Sequence, residues 1–129
     1  MRVAVAGSKN WSNYNEVIRQ LTLVIEDHAK DNPDDKNIVF VHTGSIGAEN
    51  MVTEYCGKVY SYLKQKGYHI NDQVFRPRGM DGRVINKDVE LLESDIDRVI
   101  VFVAAPSKRI NSFARLAEAY SIPTTIVKG

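Results

Sequence analysis

The sequence predicts an α/β protein: a single Rossmann-like domain spanning residues 1–129, with a mainly parallel sheet and helices on both faces. Three observations carry the prediction. Short β-branched runs alternate with stretches of helical hydrophobic spacing along the chain, and strands joined by helices pair in parallel through right-handed crossovers. The run Val99-Ile100-Val101-Phe102-Val103-Ala104 is apolar at every position, as a strand covered on both faces must be. A chain of 129 residues, 43% hydrophobic and 26% charged, also suits one core that needs no disulfide or structural metal.

Taken in order, Val3 to Ala6 is an apolar run closed by Gly7-Ser8 and reads as the first strand. Val17, Ile18, Leu21, Val24 and Ile25 recur at helical spacing, and Asn32-Pro33-Asp34-Asp35 ends that helix. Ile38-Val39-Phe40-Val41-His42 is a second strand, followed by the turn Thr43-Gly44-Ser45-Ile46-Gly47. From Ala48 to Lys66 one face carries Met51, Val52, Tyr55, Val59, Tyr62 and Leu63, and Gly67 is the stop expected after a helix. The pattern then weakens. Gln73-Val74-Phe75 reads as a short strand, Arg76 to Arg83 as a loop, and Val84 to Leu92 as a helix. After the Val99 strand, Ala105-Pro106-Ser107 turns the chain, Phe113 to Tyr120 forms a short helix, and Ile122 to Val127 a last strand.

Composition excludes several classes of function. Seventeen Lys and Arg against sixteen Asp and Glu give a net charge of +1, so no global field draws the protein to nucleic acid or to an anionic membrane, and neither is an expected partner. The single cysteine, Cys56, rules out an internal disulfide framework and a Cys-clustered zinc site. Within its helix it reads as buried and inert. His28, His42 and His69 lack metal-ligand spacing; no metal and no cofactor are expected. No apolar stretch approaches the roughly 20 residues of a membrane span, and the start of the chain turns polar too soon for a signal sequence. A cytoplasmic protein is the expectation.

Ligands of open parallel sheets sit beyond the carboxyl ends of the strands, which selects the loops Gly7 to Asn13, His42 to Gly47, Arg76 to Arg83, and Ala104 to Asn111. The first offers Gly7, Ser8, Lys9 and Trp11 directly after a strand, a set suited to a phosphate and a stacked base. Equally, Gly7 serves a sharp turn, Lys9 is solvated and Trp11 caps the core. In the second, Thr43, Gly44, Ser45, Gly47 and Ala48 bring backbone N–H groups to the start of a helix, a cradle for phosphate or ribose. Its alternative is a tight connection with Glu49 as a first-turn partner of the helix dipole. Tyr55, Tyr60 and Tyr62 read as helix packing without the basic stripe of a base-stacking platform. The acidic run of Glu90, Glu93, Asp95 and Asp97 reads as a solvated helix end.

Together, Gly7-Ser8-Lys9-x-Trp11, His42-Thr43-Gly44-x-x-Gly47-Ala48-Glu49, Asn86 opening a helix, and Asp97 to Phe102 resemble the YspA-type branch of the SLOG superfamily, small Rossmann-like proteins met in bacteria and their phages. The resemblance covers nearly the whole chain. It implies binding of a nucleotide or a nucleotide-derived, ADP-ribose-type ligand, and pairing into a homodimer. In the related LOG enzymes it implies cleavage of a nucleoside monophosphate into base and ribose phosphate. Those enzymes follow their last strand with Pro-Gly-Gly-x-Gly-Thr-x-x-Glu, where this chain has Pro106-Ser107-Lys108-Arg109-Ile110-Asn111-Ser112-Phe113-Ala114. Ala114 thus stands at the catalytic glutamate's position. If there is turnover, Glu49 is the carboxylate expected beside the ribose. Arg83, Asn86, Pro106, Ser107, Lys108 and Arg109 complete the expected ligand contacts. A third reading is a protein-interaction module whose ligand site has decayed.

Overall fold

The computed structural model describes residues 1–76, 87–104 and 107–129. Among these residues five strands form one all-parallel sheet in the order β3-β2-β1-β4-β5. They are β1 (Arg2–Gly7), β2 (Asn37–His42), β3 (His69–Val74), β4 (Arg98–Val103) and β5 (Thr124–Lys128). The helices described between them are α1 (Tyr14–Asp31), α2 (Ala48–Gln65), α3 (Lys87–Leu92) and α4 (Lys108–Ala119).

Strand periodicity divides the core in two. Val3 and Val5 of β1 point with Phe40, Ile100 and Phe102 into a layer shared with Val17, Leu21 and Val24 of α1 and with Val52 and Tyr55 of α2. Ala4 and Ala6 point the other way with Val41, Val99 and Val101, toward Leu91 and Leu92 of α3 and toward Ile110, Phe113 and Ala117 of α4. The expected helices on both faces are therefore present.

Local chemistry explains the helix ends. The Asn13 side chain accepts the Glu16 N–H at 3.1 Å and caps α1. The N–H groups of Gly67 and Tyr68 return to the carbonyls of Lys64 and Leu63 and close α2 where the sequence places its stop.

Two elements differ from the sequence reading. β3 begins at His69 rather than Gln73 and pairs along its length with β2, from Asn37↔His69 to His42↔Val74. It is an edge strand, and only Ile70 is buried, so it lacks the apolar run that marks a covered strand. α4 starts at Lys108, five residues before Phe113. Ser107 caps it by accepting the Ile110 N–H; Lys108 and Arg109 are thus first-turn residues rather than loop residues. The expected helix start at Val84, most of the loop from Arg76 to Arg83, and the expected contacts Arg83, Asn86 and Pro106 lie outside the described residues.

Candidate functional site at the carboxyl ends of the strands

Strand order reverses between β1 and β4: the chain builds outward from β1 to β2 and β3, then returns to β4 on the other side of β1. Such a switch leaves a crevice because the connections leave in opposite directions. Here it is a cavity of about 320 Å³ lined by Gly7, Ser8, Lys9, Asn10, Ser107, Arg109 and Ile110. Most of the expected first-loop residues and the first turn of α4 are thereby brought together.

Ser8 holds the crevice in shape. Its N–H donates to the Phe102 carbonyl at 2.9 Å, and its Oγ accepts the Ala104 N–H at 3.0 Å. One buried residue therefore ties the end of β1 to the end of β4. Lys9 and Arg109 are exposed, and neither has an ion-pair partner among the described residues. Ser107 caps the helix, and no acidic residue occupies its first turn. The positive end of the α4 dipole thus faces the cavity with two cations and no competing carboxylate of its own. Lys108 is exposed on the same turn and does not line the cavity.

Trp11 corrects the stacking expectation. It is 3% exposed, its ring lies 5.2 Å from that of Phe102, and its Nε1–H donates to the Asn13 carbonyl at 2.9 Å. The indole belongs to the core and has no free face for a base. The reason for Gly7 is also packing: a Cβ there would collide with the Cβ of Ala48 at the start of α2.

The second loop is closed on itself. Gly44 and Gly47 have φ of +80° and +88°, and a Cβ on Gly47 would collide with the Ser8 and Lys9 carbonyls. The start of α2 therefore abuts the β1 loop. Glu49, 1% exposed, accepts the Thr43 N–H and the Thr43 hydroxyl on Oε1, each at 2.7 Å. Its Oε2 is buried and has no hydrogen-bond partner among the described residues. The Glu49 carboxylate thus organises the turn from behind and lines neither this cavity nor the next one. Thr43 Oγ1 also lies 3.1 Å from Ser45 Oγ.

His42 shapes the same turn. Its Nδ1 accepts the Gly44 N–H at 3.0 Å, so the ring proton belongs on Nε2, which faces Asp72 Oδ2 at 2.9 Å. The Thr53 hydroxyl donates to the same carboxylate oxygen at 2.7 Å. Burial pushes the Asp72 carboxyl up, but the hydrogen bonds from His42 and Thr53 outweigh it and hold the group below its ordinary value. His42 is a structural residue with both nitrogens engaged. Nothing in the sequence marks Asp72 or Thr53 as its partners; only the β2–β3 register and the packing of α2 bring them there.

A second cavity, about 390 Å³, opens at the ends of β2 and β3 and is lined by Thr43, Val74, Phe75, Arg76 and Lys87. The sequence reading did not join Thr43 to Lys87, because only the fold brings the end of β2 and the start of α3 around one cavity. A third, about 400 Å³, lies between α1 and α2 and is walled by residues including Ile25, Tyr55, Val59 and Leu63. Of the α2 tyrosines, only Tyr55 is buried. Tyr60 and Tyr62 are exposed, with the Lys64 and Lys66 ammonium groups over their rings at 5.6 and 4.5 Å. The expectation that these two tyrosines pack without basic companions is thereby corrected: a lysine four residues on lies over each ring.

Acidic groups gather at the opposite, amino-terminal end of the sheet. Asp35 accepts the Asn37 N–H and Asp97 accepts the Arg2 N–H beside a cavity that also includes His28. The Asn37 N–H is the main cause that holds the Asp35 carboxyl below its ordinary value. Cys56 is buried, and burial pushes its thiol up to about 12, far from thiolate reactivity. Among the described residues no group of three His, Cys, Asp or Glu side chains could hold a metal ion, and no helix is long and apolar enough to cross a membrane. Comparison with protein-family models, with curated proteins and with solved structures finds no match to this chain.

Proposed function

We propose that the protein binds a nucleotide or a nucleotide-derived, ADP-ribose-type ligand, with a phosphate in the crevice between β1 and β4. The observation that carries this reading is the cavity at the strand-order switch, where Lys9, Arg109 and the N-terminus of α4 come together with no carboxylate among the described lining residues. A phosphate there would accept from both cations and sit at the positive end of the helix dipole. The SLOG-type resemblance and a cytoplasmic location belong to the same reading.

Binding without turnover fits the side chains better than hydrolysis. Ala114, at the position of the related enzymes' glutamate, is buried against the sheet on α4, and Glu49 is committed to Thr43. No described carboxylate lines the crevice.

Thermal unfolding against AMP, GMP, ADP, ATP, NAD and ADP-ribose tests the proposal. A ligand at 100 times its Kd adds about 2.7 kcal/mol, or roughly 3–6 °C for a domain of this size. The shift should vanish in the Lys9→Ala/Arg109→Ala double variant. A shift that survives both substitutions would place the ligand elsewhere, and no shift with any of the six rejects the reading.

A further inference from the structure

Among the described residues, the carboxyl rim of the sheet carries two cationic cavities. The first holds Lys9 and Arg109. The second holds Arg76 and Lys87, both exposed and both without an ion-pair partner among the described residues. In a sheet ordered β3-β2-β1-β4, the gap between β2 and β3 is two strand spacings, about 10 Å, from the gap between β1 and β4. That separation is within reach of one ribose carrying a phosphate on each side, given the length of Lys and Arg side chains.

The turn after β2, whose Thr43 lines the second cavity, is of the opposite kind. The Thr43 hydroxyl spends its proton on Glu49 Oε1, so the Ser45 hydroxyl must donate to Thr43 Oγ1. Both protons run inward to the buried carboxylate, and Ser45 Oγ keeps lone pairs for an incoming donor. A sugar hydroxyl suits that oxygen and a phosphate does not. Ile46, 66% exposed in the same turn, adds an apolar surface. The rim that carries the two cationic cavities thus also offers a hydroxyl acceptor on the β2 turn.

We propose that the Arg76/Lys87 cavity is a second anion subsite of the same ligand site, and that the protein selects a ribose flanked by two phosphate groups, a nucleoside 3′,5′-bisphosphate being the simplest case. The proposal rests on the nucleotide reading above and adds the second phosphate to it.

Isothermal titration calorimetry with adenosine 5′-monophosphate and adenosine 3′,5′-bisphosphate tests it. The intact protein should bind the bisphosphate about tenfold tighter, the equivalent of one charge-assisted hydrogen bond. In Arg76→Ala/Lys87→Ala that advantage should disappear while the monophosphate affinity stays within about twofold. Lys64→Ala/Lys66→Ala, which removes two exposed lysines at the carboxyl end of α2, should leave the advantage intact. Equal affinities in the intact protein, an advantage that survives Arg76→Ala/Lys87→Ala, or one that falls equally in the α2 variant would each overturn the proposal. Monophosphate binding without the advantage leaves the nucleotide reading standing and removes only the second subsite. Binding of neither ligand removes both.

Discussion

Helices α2 and α4 both start where a strand ends on the same rim of the sheet, yet their N-termini have opposite fates. The start of α2 is closed: Gly47 abuts the Ser8 and Lys9 carbonyls, and the first turn contains its own buried carboxylate, Glu49. The start of α4 is capped by Ser107 at the Ile110 N–H but has room ahead of it: the first turn carries Lys108 and Arg109, and a cavity lies in front of it. In α2 a first-turn carboxylate offsets the dipole, whereas the first turn of α4 carries two cations and no carboxylate. A glycine-rich turn before a helix is therefore not sufficient for an anion site; the charge of the first turn and the room ahead of it decide.

The contrast can be broken most severely at Gly47. Its φ of +88° and ψ of −133° are strained for any residue with a Cβ, and the collision is with backbone rather than with a movable side chain. Gly47→Ala should cost about 3 kcal/mol and lower Tm by about 10 °C or more. A calorimetric scan that shows a drop of only a degree or two would mean that α2 can retreat from the β1 loop.

A finer comparison sets Glu49→Ala against Ser107→Ala. The first strands the Thr43 N–H and empties a buried position, for a loss of about 2–3 kcal/mol. The second removes a helix cap worth about 1 kcal/mol. Urea unfolding of the two variants checks the order; if Ser107→Ala proves the more harmful, the closed and open ends have been assigned the wrong way round.

The smallest effect concerns acid. Because Asp72 titrates below its ordinary value in the folded protein, it contributes stability above the unfolded carboxyl pKa of about 3.9 that is lost as pH falls through the folded value. Asp72→Asn should therefore flatten the acid limb of a stability profile below about pH 4 and leave its neutral slope unchanged. An acid limb identical to that of the unsubstituted protein would show that the His42 and Thr53 bonds do not depend on the carboxylate charge.

Much of this architecture is legible from residue order. Val99 to Phe102 names a central strand because every position is apolar, and Gly67 marks the end of α2 because its place follows the last helical repeat. Gly7, Ser8, Lys9, Ser107 and Arg109 are selected as rim residues by strand ends alone, and the fold joins them around one cavity. Edge strand β3 is harder to read, since only Ile70 is buried there and HINDQV has no apolar period. The early start of α4 is hidden for another reason. Lys108, Arg109 and Asn111 carry no core stripe, and a serine before them is recognised as a cap only once the Ile110 N–H is seen to reach it.

Trp11 shows where local reading ends. Five residues after a strand, an aromatic ring beside a lysine suits a base as well as a core, and the choice falls to Phe102, which lies far away in sequence and packs beside it because β4 pairs with β1. His42 and Asp72 meet through the pairing of β2 with β3, and only the fold sets Thr43 and Lys87 around one cavity. Hydrophobic period and turn residues are short-range signals and are sufficient to specify strands, helices and their parallel assembly. Which polar groups are spent on the protein itself and which remain for a ligand depends on long-range pairing and on burial, and these exist only after the chain has folded.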